Sequence, residues 1–215
     1  MDIENQIDTF NRYFQVSRET IISLKNYEKM LIKANKNLNL VGKSTIKHIW
    51  IRHFLDSSQV IDFIDKNCNS MIDIGSGAGF PGLPIAILFK EKKKLMKIKL
   101  LEKSPKKTKF LKQVISALDL NVEVESRNIF ESNNKINDDI VIARAFKPLD
   151  IILELIHNKA TNWKKILVFL GKTGNSQLLQ ASKIWNIEYK QRVSLTSEDS
   201  RVIEITKLEK KYIEK

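Results

Sequence analysis

Residues 71–82 read Met-Ile-Asp-Ile-Gly-Ser-Gly-Ala-Gly-Phe-Pro-Gly, an apolar run with an acid, Asp73, near its end and then four of the chain's seven glycines. Glycine reaches backbone conformations closed to other residues and lets a ligand lie directly against main-chain N–H groups. The chemistry on offer is the cradling of a nucleotide-like ligand beside a carboxylate. A second acid, Glu102, ends the apolar stretch 97–101, about 20 residues past the glycines, where a carboxylate accepts hydrogen bonds from ribose hydroxyls.

Two cofactor classes compete for the loop. Gly77, Gly79 and Gly82 fit the dinucleotide pattern G-x-G-x-x-G, while Gly75, Gly77 and Gly79 fit the G-x-G-x-G loop of S-adenosylmethionine enzymes. Asp73 weighs towards the second, because an acid there can meet the ammonium of a methionine moiety but repels a pyrophosphate. Pro81 weighs the same way, since it brings no N–H to the helix start where a phosphate would sit. An NAD-dependent oxidoreductase and a non-catalytic RNA-binding module stay open as alternatives.

These residues need strands and helices to hold them. The run 83–89 is apolar throughout and predicts a buried helix opened by Pro81 or Pro84. Beyond strand 97–101, helix 105–118 turns Phe110, Leu111, Val114, Ile115 and Leu118 inward. Strands are expected at 121–126, 139–143 and 165–170, with helices at 148–157 and 176–185. Segments 188–195 and 201–208 are close enough to form a hairpin. Upstream, Ile3, Ile7, Phe10 and Phe14 recur at helical spacing, and Ile21, Leu24, Leu31 and Ala34 continue after a Ser17 N-cap. Residues 35–43 read as a polar break, and a helix over 51–65 leads into the glycine strand.

Strand and helix alternate from residue 71 onward, which predicts an α/β fold. Its form is a Rossmann-like, seven-stranded, mostly parallel sheet with an antiparallel terminal hairpin, as in class I S-adenosylmethionine methyltransferases. We expect an N-terminal helical extension over 1–66 and a methyltransferase core over 67–215.

Composition narrows the partners. The 215 residues carry 37 Lys plus Arg against 25 Asp plus Glu, a net charge of +12 that favours a polyanion such as nucleic acid. The single cysteine excludes an internal disulfide framework, and with three histidines it offers no metal-ligating motif, so no metal is expected. No apolar run approaches membrane-spanning length, and the start Met-Asp-Ile-Glu-Asn lacks a basic signal region, which together predict a cytoplasmic protein.

Four stretches carry a family resemblance: Arg52-His53-Phe54-Leu55-Asp56-Ser57, the loop 73–82, Leu101-Glu102-Lys103, and Ala143-Arg144-Ala145-Phe146. In that order they resemble the bacterial glucose-inhibited division protein B family, the RsmG-type methyltransferases of the small ribosomal subunit. The resemblance implies methyl transfer from S-adenosyl-L-methionine to a guanine N7 of 16S rRNA, naked or in the small ribosomal subunit; no oligomer is required, and a monomer is expected. It also implies that Gly75 and Phe80 lie against the cofactor, Glu102 holds the ribose and Asn128 and Ile129 flank the adenine. Arg144 would close the site beside the cofactor as the residue that positions the reactants. With Asp73, Gly77 and Gly79 these form the expected cofactor set, and Arg52, His53 and Phe146 the expected substrate set. His53 has a second reading, a polar link with Asp56 that docks the helical start on the sheet. One departure stands out: the family commonly has Lys-Gly after the fifth strand, whereas this chain has Leu170-Gly171-Lys172, so Lys172 receives no catalytic role.

Overall fold

A computed structural model describes residues 2–211. Five strands, β1 (Ser70–Ile74), β2 (Lys97–Glu102), β3 (Val122–Ser126), β4 (Ile140–Arg144) and β5 (Lys165–Leu170), pair in parallel in the order β3-β2-β1-β4-β5. The hairpin β6 (Trp185–Ser194) and β7 (Ser197–Lys210) completes the sheet, with β7 inserted antiparallel between β5 and β6. This is the seven-stranded sheet expected above. Order reverses between β1 and β4, and a cleft opens there beyond the carboxyl ends of the strands.

Eight helices flank the sheet among the described residues. They are α1 (Ile3–Phe14), α2 (Arg18–Leu38), the short α3 (Lys43–Ile46) and α4 (Asp56–Ser58), α5 (Gly82–Glu91), α6 (Pro105–Ala117), α7 (Leu149–Lys159) and α8 (Gly174–Ile184). The central strands are apolar on both faces because helices cover both. Met71, Ile140 and Ile142 face a core shared with α1, α2, α5 and α6, while Ile72, Ile74, Val141 and Ala143 face α7 and α8. That alternation also assigns Asp73 and Arg144 to the first face, where the N-terminal helices lie.

Aromatic packing ties those helices down. Trp50 meets Phe10 edge-on at 5.6 Å and Phe54 at 5.1 Å, and Tyr27 packs on Phe54 at 5.5 Å and on Phe80 at 5.6 Å. Full burial of each such ring contributes roughly 1.5–3 kcal/mol.

Several boundaries differ from the expectation. The helix expected over 51–65 is a π-helical turn at Trp50–Leu55, then α4, then a 3₁₀ turn at Gln59–Phe63. The polar break is shorter than 35–43, because α2 runs to Leu38. Asn35 stays helical and uses its side chain to bond Val41 at both N–H (2.8 Å) and C=O (3.1 Å). Trp185, expected in a helix, opens β6 instead and is buried.

Candidate functional site

The glycine loop is folded over a buried acid. Asp73 Oδ2 accepts hydrogen bonds from Ser76 Oγ (2.8 Å) and Gly82 N (3.0 Å), so one carboxylate closes the turn between β1 and α5. Burial pushes Asp73 up to about 7 against those two hydrogen bonds, which act to lower it. Asp73, expected beside the methionine ammonium, is fully buried beneath the loop and does not line the cleft, because strand alternation turns it towards α5. Gly79 faces the same way. A Cβ there would lie 2.4 Å from Leu83 Cδ1 and 2.8 Å from Tyr27 Oη, so close packing requires a glycine at this position. Tyr27 itself reaches from α2 to donate to Ala78 O at 2.6 Å, anchoring the loop to the N-terminal helices.

The start of α5 leaves no amide for a pyrophosphate. Gly82 N is bonded to Asp73, Leu83 N to Gly79 O at 2.8 Å and Ile85 N to Pro81 O at 3.4 Å, and Pro81 and Pro84 have none. The dinucleotide reading loses its anion site.

Beside the loop lies a cleft of about 560 Å³, within the range of roughly 300–1,000 Å³ usual for small-molecule sites. Gly75, Gly77 and Phe80 from the loop, Glu102 from the end of β2, Asn128 and Ile129 from the segment after β3, and Arg144 and Phe146 from the end of β4 all line it. Gly75 adopts φ 74°, and a Cβ there would sit 2.1 Å from Phe146 Cδ2, so the ring rests directly on the loop backbone. Glu102 is oriented by its own neighbours, with Gly77 N donating to Oε2 (3.0 Å) and Ser104 N to Oε1 (2.8 Å). A carboxylate held this way keeps lone pairs free for vicinal hydroxyls. Asn128 faces the cleft but is engaged, donating to Glu131 Oε1 at 2.6 Å and accepting from Phe130 N at 3.2 Å.

Arg144 leaves the end of β4 and crosses to the N-terminal helices. Its Nε donates to Asp56 Oδ2 (2.8 Å) and its Nη2 to Arg52 O (2.7 Å), and Nη1 makes a 3.5 Å contact with His53 Nδ1. Asp56 is held from its other oxygen, which accepts from Gln59 Nε2 (2.8 Å), Ser194 Oγ (2.9 Å) and Thr196 Oγ1 (2.9 Å). The docking link predicted between His53 and Asp56 is therefore carried by Arg144 and Asp56. His53 instead bonds Thr45 Oγ1 at 2.8 Å and stacks on Phe80 at 4.9 Å. Burial, and then the Arg144 charge, lower its pKa to about 3, so the imidazole is neutral. A guanidinium only donates, so Nδ1 is the acceptor and Nε2 carries the proton. His53 lines the cleft, whereas the Arg52 side chain is exposed and does not, and only its carbonyl takes part.

Some lining residues were not anticipated. Leu40, Val41 and Gly42 come from the connection after α2, and Phe130 and Lys147 each follow an expected site residue by one position. Adjacency in sequence was a usable signal for the last two. Nothing in the 40–42 stretch announces a site, because its approach depends on how α2 docks. Lys172 pairs with Asp199 at 3.3 Å in open solvent, away from the cleft.

Known proteins resemble this chain in sequence and in fold. The family model described as rRNA small subunit methyltransferase G matches residues 20–205. Ribosomal RNA small subunit methyltransferase G of Pelagibacter ubique is 42% identical over 198 residues, covering 91% of this chain and 92% of that one. The protein of the same name from Bartonella henselae is 37% identical over 194 residues, covering 90% and 89%. Among solved structures, M. capricolum TrmK, in complex with S-adenosyl-homocysteine, aligns at TM-score 0.52 and 18% identity over 70% of this chain and 66% of that one. Mitomycin 7-O-methyltransferase MmcR aligns at 0.54 and 13% over 92% and 70%. The two structures share the fold.

Proposed function

Because this chain belongs to the rRNA small subunit methyltransferase G family, we propose that its cleft transfers a methyl group from S-adenosyl-L-methionine to N7 of a guanine in 16S rRNA of the small ribosomal subunit. The observation that carries the reading is the convergence of Gly75 and Gly77, Glu102, Asn128 with Ile129, and Arg144 on one cleft at the carboxyl edge of β1 to β4. Glu102 would hold the ribose, Ile129 cover the adenine and the Gly75 backbone pass beside the methionine end. Phe80 lines the cleft with one face taken by His53, so it would support the cofactor's surroundings from that side.

When held by Gly75, Gly77 and Glu102, S-adenosyl-L-methionine would supply an electrophilic sulfonium methyl for the in-plane lone pair of N7. N7 carries no proton, so no general base is needed. The neutral His53, buried against Thr45 and Phe80, fits a positioning role. What the chain contributes is alignment and charge control. Asp56 offsets the Arg144 charge at 2.8 Å, so the guanidinium can stand near a cationic donor and still donate towards the guanine. The target base must be turned outward to reach the methyl.

No helix among the described residues is long and apolar enough to cross a membrane. We place the reaction in the cytoplasm, carried out by a monomer in which the 1–66 extension walls a 67–215 core. Labelled methyl transfer to small-subunit rRNA, offered naked and as 30S particles, tests it. Labelled 7-methylguanosine from either substrate is expected, and no product from both would overturn it.

A further inference from the structure

Phe130 is 44% exposed at the rim of the cleft. Single exposed apolar side chains are ordinary on protein surfaces, but the backbone that carries this one is braced by hydrogen bonds. Lys159 Nζ, at the end of α7, donates to the carbonyls of Ile129 (2.6 Å), Phe130 (3.3 Å) and Ser132 (2.6 Å). Asn128 Oδ1 accepts from Phe130 N at 3.2 Å, so the backbone is fixed from both sides. The ring lies nearly parallel to Phe146, at 6.0 Å and 13°, and Phe146 rests on the Gly75 backbone. Lys147 brings its ammonium to 5.9 Å from the Phe130 ring centre.

The arrangement is an aromatic ledge on a braced backbone, in contact through Phe146 with the glycine loop and with a cation at its edge. A ring carried this way and left in water suits an incoming flat, apolar face, and the lysine suits a phosphate carried by the same ligand. Nucleic acid supplies both in one nucleotide. We infer that Phe130 is the stacking platform for the nucleotide that enters the cleft from RNA, with Lys147 meeting its phosphate. This rests on the rRNA methylation reading and adds the surface on which the substrate is received.

Phe130→Ala and Phe130→Trp, compared with the unmodified protein, test it. Methyl transfer is measured against rRNA concentration at saturating cofactor, and S-adenosylhomocysteine affinity by calorimetry. Base–aromatic stacking is strong enough that Phe130→Ala should raise the rRNA KM about tenfold or more. The homocysteine affinity, which also reports a folded site, should stay within about twofold of the starting value, and Phe130→Trp should restore most of the KM. An unchanged rRNA KM in Phe130→Ala overturns the platform while leaving the methyltransferase reading intact. So does a KM effect matched by an equal loss of homocysteine affinity, which would assign the ring to the cofactor's adenine. If the unmodified protein methylates neither rRNA nor 30S particles, the rRNA reading itself fails, and the platform's substrate falls with it.

Discussion

Two buried residues give this protein an unusual dependence on pH. Asp73 is raised from 3.8 to about 7, so between those values the folded chain keeps a proton that the unfolded chain has released. Its stabilising contribution is full below the lower value and is lost as pH rises through the upper one. His53 is lowered from 6.5 to about 3, so its contribution is full above 6.5 and is lost as pH falls towards 3. Between about pH 4 and 6.5 the two slopes oppose, and the joint contribution of Asp73 and His53 should be nearly flat there. Asp73→Asn removes one slope: relative to the parent it should gain stability between pH 5 and 8, by a few kcal/mol, in urea denaturation. A constant difference across that range would show that Asp73 does not hold its proton. The second test at this scale concerns Asp56, which accepts hydrogen bonds from Arg144, Gln59, Ser194 and Thr196. Asp56→Ala leaves the guanidinium without its counter-charge and should cost about 3 kcal/mol. Methyl transfer should fall with it, as in Arg144→Ala. Survival of both methylation and homocysteine affinity in Arg144→Ala would remove that arginine from the site.

At the scale of elements, the joint between β1 and α5 determines the cofactor loop. Gly82 opens α5 so close to the sheet that a Cβ would lie 2.3 Å from Leu100 Cδ2 and 2.9 Å from Asp73 Oδ2. Gly82→Ala must push the helix away from β2, at about 1–3 kcal/mol of overpacking. Stretching the Asp73 bonds should weaken homocysteine binding along with thermal stability, whereas an alanine that leaves both unchanged would mean that the joint is slack. The strands were legible because short apolar runs between glycine and polar punctuation are local signals, and the Ser17 cap was legible for the same reason, its hydroxyl accepting from Thr20 N at 3.2 Å. The π-helical turn at Trp50–Leu55 was not. Its wider turn brings His53 and the Arg52 carbonyl to Arg144, a demand set by β4 and absent from the periodicity of residues 50–55. Hairpin strands β6 and β7 run longer than their apolar segments because backbone pairing continues through polar positions that no packing pattern marks.

For the molecule as a whole, the net charge of +12 predicts that substrate capture is electrostatic. Lys103, Lys107 and Lys147 stand at the cleft itself. Raising salt from about 50 to 200 mM should increase the rRNA KM by an order of magnitude or more and leave homocysteine affinity nearly unchanged, since only the RNA releases condensed counterions. A salt-insensitive KM would show that the lysines are a compositional habit. By itself the sequence determined the alternation of strands and helices, the glycine loop and the acid at the end of β2, and Asp73, Pro81 and the four family stretches weighed that loop towards S-adenosylmethionine. All of these are written within a few tens of consecutive residues. Tertiary structure alone decided that Asp73 turns beneath the loop, that Arg144 reaches 88 residues back to Asp56, and that Tyr27 anchors a carbonyl 51 residues ahead. Such contacts depend on which face of a strand meets which helix, and local periodicity marks a side as buried without naming what will cover it.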